Sequence, residues 1–409
     1  MIKSIILTLF LSTLLFWAKS QQITALNSYK EITLPELFRK INNGMKDYII
    51  LDVRTKGEYH NTLSINKTLN IGRIKSAINI PLQDLRQKPE SLQQLNEYKD
   101  KEVFVICSHS YRSRAISNLL LQNNFSKVTN VQGGMSEWYR NHDEVKLFAE
   151  SFYENNISYE NISPAQLFQK LKTNEPILFI GFKNAPRSNF DSILVMFYQH
   201  FPDFKNVAFF TSADSSAVLA KAKRASGKTI VTYNTIGIGG AEIADWLASN
   251  SIASVNYLYG NLAGFYEYMA NYQPNENKEN YFSIKRKVHF YSALSLCGSM
   301  KHNNSIQLID LRHDTVFAKP NRGTKLTYRH IKGAINFPYY QSAEMFSDKF
   351  PDKSKEYVLL PQQGYVGLEL AESLLNKGYR IGWLIGSNER WEWYTNNISE
   401  FNCKNYFTK

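Results

Sequence analysis

The sequence predicts an α/β chain built from three tandem copies of one domain, each a mainly parallel sheet flanked by helices. Three observations carry this expectation. Apolar strands alternate with helical segments, the order that sandwiches a parallel sheet between helices. The same string of elements returns at a spacing far longer than a solenoid's period, so the repeating unit is a whole domain. With 409 residues, 43 % hydrophobic and 14 % aromatic, the chain is too long for one ordinary core and too apolar to be disordered.

The first twenty residues have one early charge, Lys3, then an apolar run from Ile5 to Trp17 and Ala18-Lys19-Ser20 before Gln21. That is the layout of a cleavable signal peptide, so residues 1–20 are expected to be removed and the protein exported, to a periplasm or beyond the cell. An uncleaved anchor is the rival, but the apolar run is shorter than the roughly 20 residues that span a bilayer. No later segment is long and apolar enough to span one, so no membrane contact is expected after cleavage.

The first copy is expected over 31–147. An apolar strand YIILDVR (48–54) leads through GRIKSAINIPL (72–82) to the strand EVFVIC (102–107). A helix RSRAISNLLLQNNF (112–125), a strand KVTNVQ (127–132) and the turn GGMSEW (133–138) follow. The third copy, over 286–402, repeats this order as LIDLR (308–312), HIKGAINFP (330–338), EYVLL (356–360), GLELAESLLNKGY (367–379) and IGSNERWEW (385–393). The second, over 160–275, comes into register when Asn234 is placed on Cys107. TIVTYN (229–234), AEIADWLASNSI (241–252) and YGNLAGF (259–265) then fall on strand, helix and glycine turn. Its counterpart of LDVR is only IGFK (180–183), and AINIP has none. Polar stretches at 145–160 and 272–286 read as linkers.

The formal charge of +12 comes from scattered Lys and Arg, and the tightest cluster, KAKRASGK (221–228), is short and reads as a solvated helix end. No nucleic-acid partner is expected. The positive balance does speed the approach of small anions. Cysteines occur only at 107, 297 and 403, too few for a disulfide framework and odd in number. Cys297 and Cys403 either pair with each other or remain two buried thiols, and the sequence leaves both open.

Cys107 ends an apolar strand a few residues before a helix, so the turn between them wraps the sulfur. Backbone N–H groups and the positive helix end both favour thiolate over thiol. Arg112 adds a fixed positive charge suited to an anion, and Ser108, Ser110 and Ser113 bring hydroxyls to the same turn. An isolated cysteine closing such a strand is more often a small core residue, and it is Arg112 and the serines that reverse the preference.

This loop, Cys107-Ser-His-Ser-Tyr-Arg112-Ser113, resembles the C-x-x-[small]-x-R-S active-site pattern of the rhodanese-like sulfurtransferases. LDVRTKGEY (51–59), A-x-N-I-P at 77–81 and the GGMxEW turn at 133–138 resemble the family's framework motifs, with Arg73, Ser76 and Ser110 standing where its usual His, Gly and loop Gly stand. The resemblance covers about 31 to 145 with specific motifs and the third copy with framework motifs only. It implies a mainly parallel five-stranded sheet in each copy, and a thiosulfate sulfurtransferase-like activity without a cofactor or metal. Cys107 would take sulfur from a small anionic donor as a persulfide and pass it to a thiol or cyanide. Arg112 would hold the donor, with Ser108, His109, Ser110 and Ser113 lining its site. Asp52 and Arg54, at the end of the first strand, are expected to be framework, an ion pair with neighbours such as Glu58. His109 is expected to face solvent and tune substrate rather than titrate.

A Cys-Arg phosphatase is the nearest chemical rival. Its loop is C-x5-R, whereas this one is C-x4-R and holds no Asp to protonate a leaving group. A non-catalytic binding or redox-sensing protein, in which Cys107 is merely oxidised, is the alternative of a different class. The other copies carry Asn234 and Pro361 at the Cys position and Gly239 and Val366 at the Arg position, so neither can form a persulfide. Pro361 also removes a backbone N–H. TYNTIGIGGAE (232–242) resembles a phosphate loop, but its alignment with the Cys loop explains it better.

Overall fold

The computed structural model describes residues 29–140, 145–182, 203–205, 207–210, 214–234, 239–283, 288–302, 305–318, 330–361, 367–386, 391, 394–395 and 401–406. The expected signal peptide, Val366 and residues 235–238 of the glycine-rich stretch lie outside them.

The first sheet is formed by β1 (Lys30–Ile32), β2 (Tyr48–Asp52), β3 (Ile78–Asn79), β4 (Glu102–Ile106) and β5 (Lys127–Val131), in spatial order β1-β5-β4-β2-β3. All four pairings are parallel. β2 and β4 are buried along nearly their whole length, which is why they read as unbroken apolar runs rather than alternating ones. Around them Ile49, Leu51, Val103, Val105, Ile116 and Leu120 form one core that includes Cys107.

A second sheet contains β6 (Glu160–Ile162), β7 (Ile177–Phe182), β8 (Ala208–Phe210), β9 (Thr229–Asn234) and β10 (Val255–Leu258). A third contains β11 (His289–Tyr291), β12 (Ile306–Asp310), β13 (Ile335–Asn336), β14 (Glu356–Leu360) and β15 (Arg380–Leu384). Each has the spatial order of the first, with its first strand beside its fifth and its fourth beside its second. Their pairings are all parallel too. The α/β class with parallel sheets flanked by helices is therefore present.

The helix after the first strand is started by one device in two sheets. In α1 (Leu34–Asn42), Thr33 and Glu36 close a capping box with Pro35 in the first turn. Ser163, Gln166 and Pro164 do the same for the helix Pro164–Lys172. Contacts group the chain into two compact units. One holds the first sheet, with the described residues of 29–60, 72–138 and 145–154, and the other holds the second and third sheets together with 61–71, 139 and 140. Within the latter, a single cluster of buried residues runs from Phe179 and Phe265 to Leu359 and Trp383.

Both expected linkers turn out to be structured. Residues 145–160 contain a helical turn, Ala149–Phe152, and a strand Tyr153–Glu154 that pairs antiparallel with Arg73–Ile74. Residues 272–286 contain Phe282–Ser283, paired in the same way with Asp203–Phe204. Such two-residue ribbons need no apolar run, so polar composition hid them. Arg73 adds an ion pair with Glu154 across its ribbon. Cys297, on the helix Ala293–His302, is joined to Cys403 by a disulfide, which resolves the open choice in favour of pairing. The cluster at 221–228 ends the helix Ser215–Arg224 with Lys221, Lys223 and Arg224 exposed. No helix among the described residues is long and apolar enough to cross a membrane.

Candidate active site

Cys107 follows β4 directly and is 1 % exposed. The chain turns through Ser108, His109 and Ser110 into the helix α3 (Tyr111–Gln122), one residue earlier than expected. Ser110 takes a left-handed conformation, φ +76°, which usually calls for glycine. Its hydroxyl donates to the Val131 carbonyl at 3.3 Å, a bond glycine cannot make and a partial offset to the strain. Ser113 Oγ lies 3.4 Å from Cys107 Sγ and 3.1 Å from the Ser110 carbonyl, tying the sulfur to the first turn of α3.

The turn after β5 grips the loop from the other side. Met135 N donates to the Cys107 carbonyl at 2.8 Å and Ser136 N to the Ser108 carbonyl at 3.0 Å. In a trans peptide, N–H and C=O point opposite ways, so these two bonds direct the Ser108 and His109 N–H groups away from the turn. Gly134 makes the approach possible. Its φ is +61°, and a Cβ there would sit 2.2 Å from the Cys107 carbonyl oxygen.

Arg112 is tied to a partner that sequence reasoning assigned elsewhere. Its guanidinium forks onto Glu58, Nη1 to Oε2 at 2.6 Å and Nη2 to Oε1 at 2.5 Å, while Nη2 also reaches Ser108 Oγ at 2.9 Å. Glu58 is 3 % exposed and sits in the short helix α2 (Lys56–Tyr59), where it closes a capping box with Thr55. Burial alone would raise the Glu58 carboxyl, but the bond and charge of Arg112, with the Thr55 N–H and hydroxyl, hold it below the usual range. Burial likewise disfavours the Arg112 cation, yet Glu58 foremost, then Cys107 and Asp52, leave it raised.

Asp52 and Arg54 pair with each other rather than with the Glu58 carboxylate. Arg54 Nε and Nη2 reach both Asp52 oxygens at 2.8 to 3.1 Å, and Nη2 also donates to the Gly72 carbonyl. Both side chains are fully buried. The third sheet copies this unit: Arg312 forks onto Asp310, and Asn336 donates to the carbonyls of both, as Asn79 does for Asp52 and Arg54. Its recurrence in a copy without the cysteine marks it as framework. His109 and Tyr111 are exposed, while Ser108, Ser110 and Ser113 are buried.

The other copies are altered at the same place. Asn234 is buried at the Cys position, and its N–H donates to the side chain of Asn261 at 3.0 Å. Asn261, φ +59°, follows Gly260 where Gly134 follows Gly133, so the second copy carries a side-chain acceptor where the first has glycine. Pro361 stands directly after β14.

A parallel α/β sheet with a buried thiol in its strand-to-helix turn defines the class of the first unit. The family model described as Rhodanese-like domain matches residues 34–141 and 295–392, just over half of the chain, and the chain belongs to that family. A probable molybdopterin-synthase adenylyltransferase of Porphyra purpurea is 34 % identical over 122 residues, 30 % of this chain and 28 % of that protein. A tRNA uridine(34) hydroxylase of Cronobacter sakazakii is 29 % identical over 102 residues, 25 % of this chain and 26 % of that protein. The chain thus spans little more than a quarter of either curated relative. A rhodanese-related protein of Thermoplasma volcanium is 32 % identical, with 28 % of this chain and 93 % of that one covered and a TM-score of 0.22. Rhodanese-like relatives point to sulfur transfer or related chemistry.

Proposed function

We propose that the protein is a sulfurtransferase of rhodanese type that moves sulfane sulfur from a small anionic donor, such as thiosulfate, to a thiol or cyanide through a persulfide on Cys107. The observation that carries this reading is the Ser113 hydroxyl 3.4 Å from the Cys107 sulfur, in a turn that opens a twelve-residue helix. The hydroxyl and the helix end favour negative charge on sulfur before and after transfer.

In the first step the Cys107 thiolate attacks the outer sulfur of thiosulfate. A sulfur–sulfur bond forms, the donor's sulfur–sulfur bond breaks, and sulfite leaves with its electron pair. In the second, cyanide or a thiolate attacks the terminal persulfide sulfur and Cys107 departs as thiolate, so no net redox change falls on the protein. His109, Tyr111 and the partly exposed Arg112 form the rim past which the donor approaches.

The second and third sheets are degenerate copies of this unit without its cysteine, which makes three tandem rhodanese-like domains with one active centre. The protein acts after export, with its N-terminal segment removed, and needs neither nucleic acid nor a metal partner. Cys107→Ser tests the reading: sulfur transfer from thiosulfate or methanethiosulfonate to cyanide should vanish. Transfer persisting in that variant would overturn it.

A further inference from the structure

We propose that Glu58 sets the charge of the donor this site accepts: by holding Arg112 as a neutral pair it favours sulfane donors with at most one negative charge over dianionic thiosulfate. The inference rests on the sulfurtransferase reading and names the donor class for the same site.

Arg112 is the cation closest in sequence to the reactive loop, yet both of its terminal nitrogens are engaged by one buried carboxylate at 2.5 and 2.6 Å. Two further arginines of the first unit are also matched. Arg54 is forked onto Asp52, and Arg114, two residues along α3, bonds Glu31 at 2.9 Å. The end of the helix that opens at this loop adds a partial positive charge. A donor with two charges must approach the Cys107 thiolate with the Arg112 charge already balanced by Glu58, so less of the repulsion is offset.

The pair behaves as part of the site rather than of the scaffold. The third copy keeps the framework pair as Asp310 and Arg312, but Val316 stands at the Glu58 position and Val366 at the Arg112 position. Carboxylate and guanidinium are lost together in the third copy, one of the two that lack the thiol. A purely structural Glu58 would have stayed with the framework.

Glu58 is thus a specificity-determining residue that acts through Arg112, and Glu58→Gln isolates its charge. Glutamine keeps an acceptor for the Thr55 N–H, so the capping bond at 3.0 Å has a replacement. Two donors that differ chiefly in charge serve as probes. Thiosulfate releases sulfite, and methanethiosulfonate, a monoanion, releases methanesulfinate by the same cleavage.

In the wild type, kcat/KM should favour methanethiosulfonate by about tenfold or more, the scale of one unbalanced charge near a half-buried site. In Glu58→Gln the ratio should shift toward thiosulfate by about tenfold, with thiosulfate turnover newly sensitive to salt. A wild-type enzyme that uses thiosulfate as well as the monoanion, or a ratio unmoved by Glu58→Gln, overturns the inference while leaving sulfur transfer intact. The wild-type ratio decides the matter even if the variant fails to fold. If neither donor loads Cys107, the functional reading itself fails.

Discussion

Replacing Gly134 by alanine strikes the contact that shapes the cysteine loop. The new Cβ would lie 2.2 Å from the Cys107 carbonyl oxygen and 2.8 Å from the Ser108 carbonyl carbon, both rigid backbone atoms. The turn must therefore retreat, breaking the Met135 and Ser136 N–H bonds to the loop, each worth about 1 kcal/mol net. A left-handed alanine adds about 1 kcal/mol, and residual overlap about 1 kcal/mol or more. The sum, about 4 kcal/mol, is a large part of a domain's usual stability. Hydrogen exchange over peptides covering 102–138 reads that loss locally, and persulfide loading of Cys107 should fall with it. Local stability within about 1 kcal/mol of wild type, with full loading, would refute the reasoning.

Further outcomes follow from other contacts. Because the folded carboxyl of Glu58 lies below its ordinary value near 4.5, its stabilising contribution is complete above that value and is lost as pH falls through the lower folded one. Acid unfolding of the first unit should therefore be less steep in Glu58→Gln, and an unchanged acid limb would contradict the buried ion pair. Reducing the Cys297–Cys403 disulfide, which closes a loop of 106 residues, should destabilise the second unit by about 2–4 kcal/mol in a denaturant titration. Sulfur loading of Cys107 should be unaffected, since Cys107 lies in the other unit.

The cysteine site was legible because Cys107, Ser110, Arg112 and Ser113 are contiguous and occupy one strand-to-helix turn. The repeat of one element string was legible, since β4 and β14 are unbroken apolar runs in matching places, whereas the spatial order of the strands is set by packing that no such run records. Glu58 was missed as the partner of Arg112 because the two are far apart in sequence. Its local pattern, Thr55-x-x-Glu58, already accounts for an acidic residue as a helix cap. The ribbons hidden in the expected linkers were illegible for another reason: two-residue strands carry no periodicity. The bond from the Asn234 N–H to the Asn261 side chain could have been suspected, since Gly260-Asn261 replaces Gly133-Gly134 in register.

The central claim, a persulfide carried by Cys107, is tested most directly by the intact mass of the full chain after exposure to methanethiosulfonate or thiosulfate and then to cyanide. The account predicts a gain of one sulfur atom that maps to Cys107, is absent in Cys107→Ser, and disappears on cyanide as thiocyanate forms. No gain with either donor would contradict the claim, and a thiol that takes up only oxygen would point instead to a redox sensor.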